Sequence, residues 1–194
     1  MYLTCMCVFC IQCAEALGAI GNPASLPILQ QYSTHPMPEI SETCIIAVDL
    51  YKYRAQTQHT SPSLTTDTTS TTSFTDKMVV CEDKHHFLSV DPAPPAKGNR
   101  TLDQLSHDLM NTQLSLFERY RAMFKLRNIN TDTSALALCQ GLSDASALFR
   151  HEIAYVLGQM EKPVTVPALS RTLMDTSEHR MVRHECAESL GAIG

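Results

Sequence analysis

Tryptophan is missing altogether, and aromatic residues make up only 6% of the 194 residues. A core drawn from this chain must come from Leu, Ile, Val, Ala and Met, within an apolar content of 44%. Basic charge is scarce too: 15 Lys and Arg stand against 20 Asp and Glu, a net of -5. Nucleic-acid binders normally present a basic face, so that class is excluded. No Lys or Arg precedes Lys52, and the apolar opening "MYLTCMCVFCIQC" therefore lacks the basic flank of a secretory signal. No apolar run reaches the ~18 residues of a membrane span. The eight cysteines fall as Cys5, Cys7, Cys10 and Cys13, then singly as Cys44, Cys81, Cys139 and Cys186. That spacing is not a disulfide framework; it points to a reducing compartment, the cytoplasm.

What is present repeats. "CAEALGAIG" (13–21) and "CAESLGAIG" (186–194) differ only at Ala16 and Ser189. Aligning "RHEIAYVLG" on "RHECAESLG" places Arg150 over Arg183, a period of 33 residues. A looser copy, "RYRAMFKLR", begins at Arg119, 31 residues before Arg150. Each block has helical apolar spacing and ends near Gly or Asn, as a helix C-terminus does. Second amphipathic segments, "TSALALCQGL" and "TVPALSRTLM", lie between the blocks. A helix pair recurring every 30-odd residues predicts an all-α superhelical solenoid.

Composition divides the chain in three. Residues 1–54 read as a remnant N-terminal group of helices, and 101–194 as a C-terminal group. The stretch 55–100 reads as a disordered linker. From Thr57 to Thr75, 13 of 19 residues are Ser or Thr, too polar to fold. "SVDPAPPAKGN" (89–99) continues as an extended, Pro-rich tether. Both ends are expected to be cut. Gly194 stops on a helix cap with no capping repeat, and residues 1–12 stand outside the repeat pattern.

His151-Glu152 and His184-Glu185 occupy one position in consecutive repeats. Neighbouring helical residues are about 100° apart around the axis, and stacked helices lie about 8–10 Å apart. Ligands from both repeats can therefore converge on one point. Imidazole with carboxylate suits non-haem iron, with zinc and manganese as competitors, and helical di-iron proteins pair Glu and His in this way. A charged rim between helices is the competing reading. The zinc-protease motif HExxH is excluded, because Tyr155 and Glu188 stand where its second His belongs. Cys5, Cys7, Cys10 and Cys13 lack the context of an iron–sulfur cluster and read as apolar filler. His85-His86 reads as solvated linker.

Four stretches, "LFERYRAMFKLRN", "ALFRHEIAYVLGQM", "MVRHECAESLGAIG" and "SVDPAPP", together resemble deoxyhypusine hydroxylase. The resemblance covers residues 13–54 and about 87–194. It implies a HEAT-repeat metalloenzyme of two facing halves, each with two His-Glu motifs, holding two Fe2+ ions between them. The implied reaction is a monooxygenation, using O2 to hydroxylate the deoxyhypusine side chain of a translation factor precursor. By the resemblance, His151, Glu152, His184 and Glu185 are metal ligands, while Gly158 and Gln159 lie near substrate. Ile11 and Gln12 stand where a further His-Glu pair is expected, so the chain keeps half the ligands and should be impaired. Two copies facing each other as a homodimer would restore four pairs, and a non-catalytic protein-binding scaffold is the alternative function.

Overall fold

The computed structural model describes residues 3–58 and 87–194, and side chains from residue 10 to 57 and 87 to 194. The Ser/Thr tract from residue 59 onward, His85-His86 and the side chains of Cys5 and Cys7 lie outside the described residues. The described residues form α1 (Leu3–Ile20), α2 (Leu26–Tyr32), α3 (Pro38–Gln58), α4 (Leu102–Met110) and α5 (Leu116–Ile129). Then follow α6 (Asp132–Cys139), α7 (Ala147–Met160), α8 (Val166–Met174) and α9 (Arg180–Ile193). There is no strand among them. No helix of the described residues is long and apolar enough to cross a membrane.

Short polar signals set where each helix starts and stops. The side chains of Thr101, Ser115, Thr131 and Ser146 each accept the backbone N–H three residues on. Such caps satisfy an otherwise orphaned donor and contribute about 1 kcal/mol each. At the other ends, Asn130 and Glu161 take left-handed conformations (φ 53° and 50°) and stop α5 and α7. Gly21 does the same for α1, at φ 67°.

Helices pair as α4–α5, α6–α7 and α8–α9, and α5, α7 and α9 stack one repeat on the next. The repeated arginines join them. Arg119 Nε donates to Leu109 O (2.8 Å) and Arg183 Nε to Leu173 O (2.9 Å), each reaching the last turn of the preceding helix. Arg119 also pairs with Asp144 before α7, and Arg150 with Glu178 before α9 at 2.6 Å. Each repeat is thereby tied to its successor as well as to its own partner helix.

Residues 87–100, expected to belong to a passive tether, pack against the helices instead. Residues 87–100 dock along α5: Ala93 and Ala96 are buried, Ala96 N–H donates to Arg121 O (2.9 Å) and Arg121 Nε to Pro94 O (3.3 Å). Proline-rich backbone has few donors of its own to satisfy, so it can lie flat on a helix without leaving buried polar groups unpaired.

The N-terminal helices complete the stack. α1 lies on α3 so closely that a Cβ on Gly18 would stand 2.8 Å from Ala47 Cβ. Arg54 closes the end of α1, donating to Gly18 O and Ala19 O at 3.0 Å. α3 then meets α5 and α7, and the Ser146 hydroxyl donates to Glu42 at 2.6 Å.

Candidate functional site

α7 and α9 pack tightly because Gly158 has no side chain. A Cβ there would lie 2.5 Å from Ser189 Oγ and 3.0 Å from its Cα. The Ser189 hydroxyl, buried in the same contact, donates to Ala154 O at 2.7 Å. Gly158, expected beside a substrate, is thus covered by α9, and its missing side chain serves the approach of the two helices.

That approach brings α7 and α9 side chains together. His151 Nε2 lies 3.2 Å from Glu185 Oε2, while its Nδ1 is buried with no hydrogen-bond partner. Glu152, the next residue, is 7% exposed. Burial pushes its carboxyl up to about 8, against the opposing pull of His151; the negative charges of Glu15, Asp91 and Glu185 add to the rise. Burial works against protonation of His151, but the hydrogen bond to Glu185 and the charges of Glu152, Glu185 and Glu15 outweigh it and raise its pKa. Glu15 on α1 is raised as well, by burial, with His151 acting in the opposite sense. Several carboxylates therefore crowd one imidazole, a cluster short of positive charge.

His184 behaves differently. It is 72% exposed in its side chain and pairs with Glu188 one turn along its own helix, at 3.1 Å. Of the four expected ligands, His151 and Glu185 meet, Glu152 is buried within electrostatic reach of both, and His184 turns to solvent. Among the described residues no three His, Cys, Asp or Glu side chains form a ready cage for a metal ion. The donor types nevertheless suit one: an unpartnered buried imidazole nitrogen beside carboxylates that resist ionisation is what a missing cation would satisfy.

Gln159 lies two turns beyond His151, where its Oε1 accepts from Arg127 Nη1 at 3.0 Å. Arg127 in turn holds Asp91, through Nη1 at 2.8 Å and Nη2 at 2.5 Å. Sequence reasoning missed Glu15, Asp91 and Arg127 as neighbours of the site. Glu15 occupies the repeat position of Glu188, and Asp91 sits inside "SVDPAPP", so both signals were present.

The described cysteines, Cys10, Cys13, Cys44, Cys139 and Cys186, stand apart from the cluster. Cys10 packs on the core and Cys13 is exposed, while burial lifts the Cys139 thiol to about 11 and that of Cys186 to about 12. The buried thiols are thus poor nucleophiles and poor ligands.

Known proteins share both pattern and shape. A family profile described as HEAT repeats matches residues 118–194, and one described as PBS lyase HEAT-like repeat matches 10–35. Deoxyhypusine hydroxylase of Drosophila melanogaster is 44% identical over 94% of this chain and 53% of its own length. That of Mus musculus is 47% identical, with the same coverage. The solved structure of human deoxyhypusine hydroxylase in complex with glycerol superposes with a TM-score of 0.78 at 45% identity, covering 94% of this chain and 56% of that one. The chain spans about half the length of the curated relatives it matches. In sequence and in fold, this all-helical HEAT-repeat chain is similar to deoxyhypusine hydroxylase along nearly its whole length.

Proposed function

We propose that the chain carries one side of a deoxyhypusine monooxygenase site, acting on a translation factor precursor that bears deoxyhypusine. The observation that supports this most is the α7–α9 cluster. His151 offers a buried nitrogen without a partner, Glu185 meets its other nitrogen, and the buried Glu152 acts on it electrostatically. These three residues would hold Fe2+. Iron, when bound, would supply the activation of O2 that hydroxylation requires. The crowded carboxylates do the rest of the binding work. Deoxyhypusine carries amines that are cationic near neutral pH, and the carboxyl oxygens of Glu15 and Glu152 are acceptors for their N–H groups beside the metal position.

His184 is assigned to the same ligand set by its repeat position, but it points to solvent on α9. With one of four ligands turned outward, the chain by itself is a weak metal binder and a poor catalyst. A cytoplasmic enzyme acting on a soluble protein fits the cysteine usage, and no nucleic acid or membrane enters the reading.

The test is iron stoichiometry after anaerobic loading with Fe2+. The expected result is about one iron per chain, lost in His151→Ala and largely kept in His184→Ala. No iron in the unsubstituted chain overturns the metal assignment. Two irons per chain with full turnover overturns the weak-site reading.

A further inference from the structure

We infer that Arg127 is a positioning residue for a substrate-contacting edge on α7, formed by the Gln159 amide and the Tyr155 hydroxyl. The inference rests on the hydroxylase reading above and deepens it, because it names which groups beside the cluster meet the protein substrate.

Arg127 is 1% exposed. Its guanidinium sits over the rings of Phe87 and Phe124, each 4.8 Å from its centre. Nη1 also reaches Ser89 Oγ at 3.1 Å, and Nε donates to Asn128 at 3.2 Å. Asp91 alone would neutralise this cation; the contact to Gln159 is an addition. It has a definite consequence. Arginine only donates, so the Gln159 group facing it must be the carbonyl oxygen. The amide NH2 is then turned away from Arg127, and Tyr155 lies one helical turn back on the same face within its reach, with a side-chain hydrogen bond from Gln159 among the influences on its hydroxyl. With Gln159 donating to it, that hydroxyl keeps its proton for an acceptor on a ligand.

Tyr155 is in the right place to use it. It follows His151 by four residues and Glu152 by three, so all three lie along one side of α7. It is also 39% exposed, an uncommon position for a tyrosine tied into a buried arginine network. A peptide carbonyl flanking the modified lysine has the chemistry to accept from it. The chain Asp91–Arg127–Gln159–Tyr155 thus runs from a docked loop, through the core, to the site's edge.

The experiment measures binding of a fluorescent peptide bearing deoxyhypusine to the full chain, in wild type, Tyr155→Phe, Arg127→Lys and the double variant. Tyr155→Phe is expected to weaken binding about five- to tenfold, as loss of one hydrogen bond does, with the thermal melt unchanged. Arg127→Lys keeps a charge for Asp91 but loses the fork that orients Gln159, and should weaken binding by a similar factor. If Arg127 acts through Tyr155, the double variant is no weaker than the weaker single one. Should Arg127→Lys melt below the assay temperature, Gln159→Met breaks the same link and replaces it in the cycle. A wild-type chain that binds while Tyr155→Phe binds equally well overturns this inference alone. Additive losses overturn the positioning role of Arg127. A wild-type chain that does not bind the peptide overturns the hydroxylase reading and this inference with it.

Discussion

His151 Nε2 and Glu185 Oε2 meet at 3.2 Å across the α7–α9 interface, although 34 residues of chain separate them. The contact joins the His-Glu motif of one repeat to that of the next, and Glu152 is buried within their electrostatic reach. This arrangement makes the metal-free protein sensitive to pH. Glu152 titrates near 8 when folded against 4.5 ordinarily, so between those values the folded state holds a proton that the unfolded chain has released. Stability must then fall as pH rises through that window. His151, whose pKa is also raised, adds stability that is full below 6.5 and lost as pH climbs through its folded value. Both groups act in the same direction. Thermal melts of metal-free protein from pH 5 to 8.5 should show a falling Tm, and Glu152→Gln should flatten the decline. A divalent cation competes with these protons, so added metal should raise Tm more at pH 8 than at pH 6.

Two glycines in equivalent surroundings of sequence should respond oppositely to a methyl group. At Gly158 an added Cβ meets Ser189 at 2.5 to 3.0 Å, including a backbone atom that has nowhere to move. Gly158→Ala is therefore expected to cost about 1–3 kcal/mol through overpacking. Gly191, in the same position of "LGAIG" as Gly18, has nothing within 4 Å. Gly191→Ala should be neutral or stabilising by up to about 1 kcal/mol, as helix propensity dictates. Urea denaturation of the two variants side by side checks the contrast.

The Arg119–Asp144 pair is almost completely buried, with side chains 6% exposed on both sides. Removing one partner leaves an uncompensated charge among helices α5 and α7. Asp144→Ala is expected to lower stability by about 3–5 kcal/mol. Lys52–Asp49, an exposed pair at 3.1 Å, is the natural control: Lys52→Ala should change stability by less than about 1 kcal/mol. Chemical denaturation separates these outcomes easily.

Glu161 ends α7 at φ 50°, a conformation that costs a side chain energy. Glycine relieves it. Glu161→Gly is expected to raise stability by about 1 kcal/mol, or about 2–4 °C in Tm for a chain of this size. A lowered melting temperature would show that the Glu161 side chain contributes more than its backbone conformation costs.

Helix boundaries were the most legible part of the fold, because they rest on local chemistry. The blocks end near Gly or Asn, as at Gly21 and Asn130, and the 31- and 33-residue spacing of Arg119, Arg150 and Arg183 announces the repeat. The docked course of residues 87–100 was not legible. "SVDPAPPAKGN" has the composition of a tether, and only the unpaired surface of α5 and the buried charge of Arg127 give it somewhere to lie. The site was half legible for the same reason. Repeat position marks His184 as the equal of His151, but it cannot say which of them a neighbouring helix covers.

The repeated block makes the division plain. Sequence by itself determined that residues 13–21 and 186–194 are helical, that each ends at a glycine, and that both belong to a stack of hairpins. Tertiary structure decided which face each one buries. In α1, Ala14 and Gly18 are hidden against α3 and Cys13 is exposed. In α9, Cys186, Ser189 and Glu185 are hidden against α7, while Ala187 and Gly191 lie open. The physical reason is that α1 packs on the repeat that follows it and α9 on the repeat that precedes it. One amphipathic sequence carries two packable faces, and its neighbours choose between them.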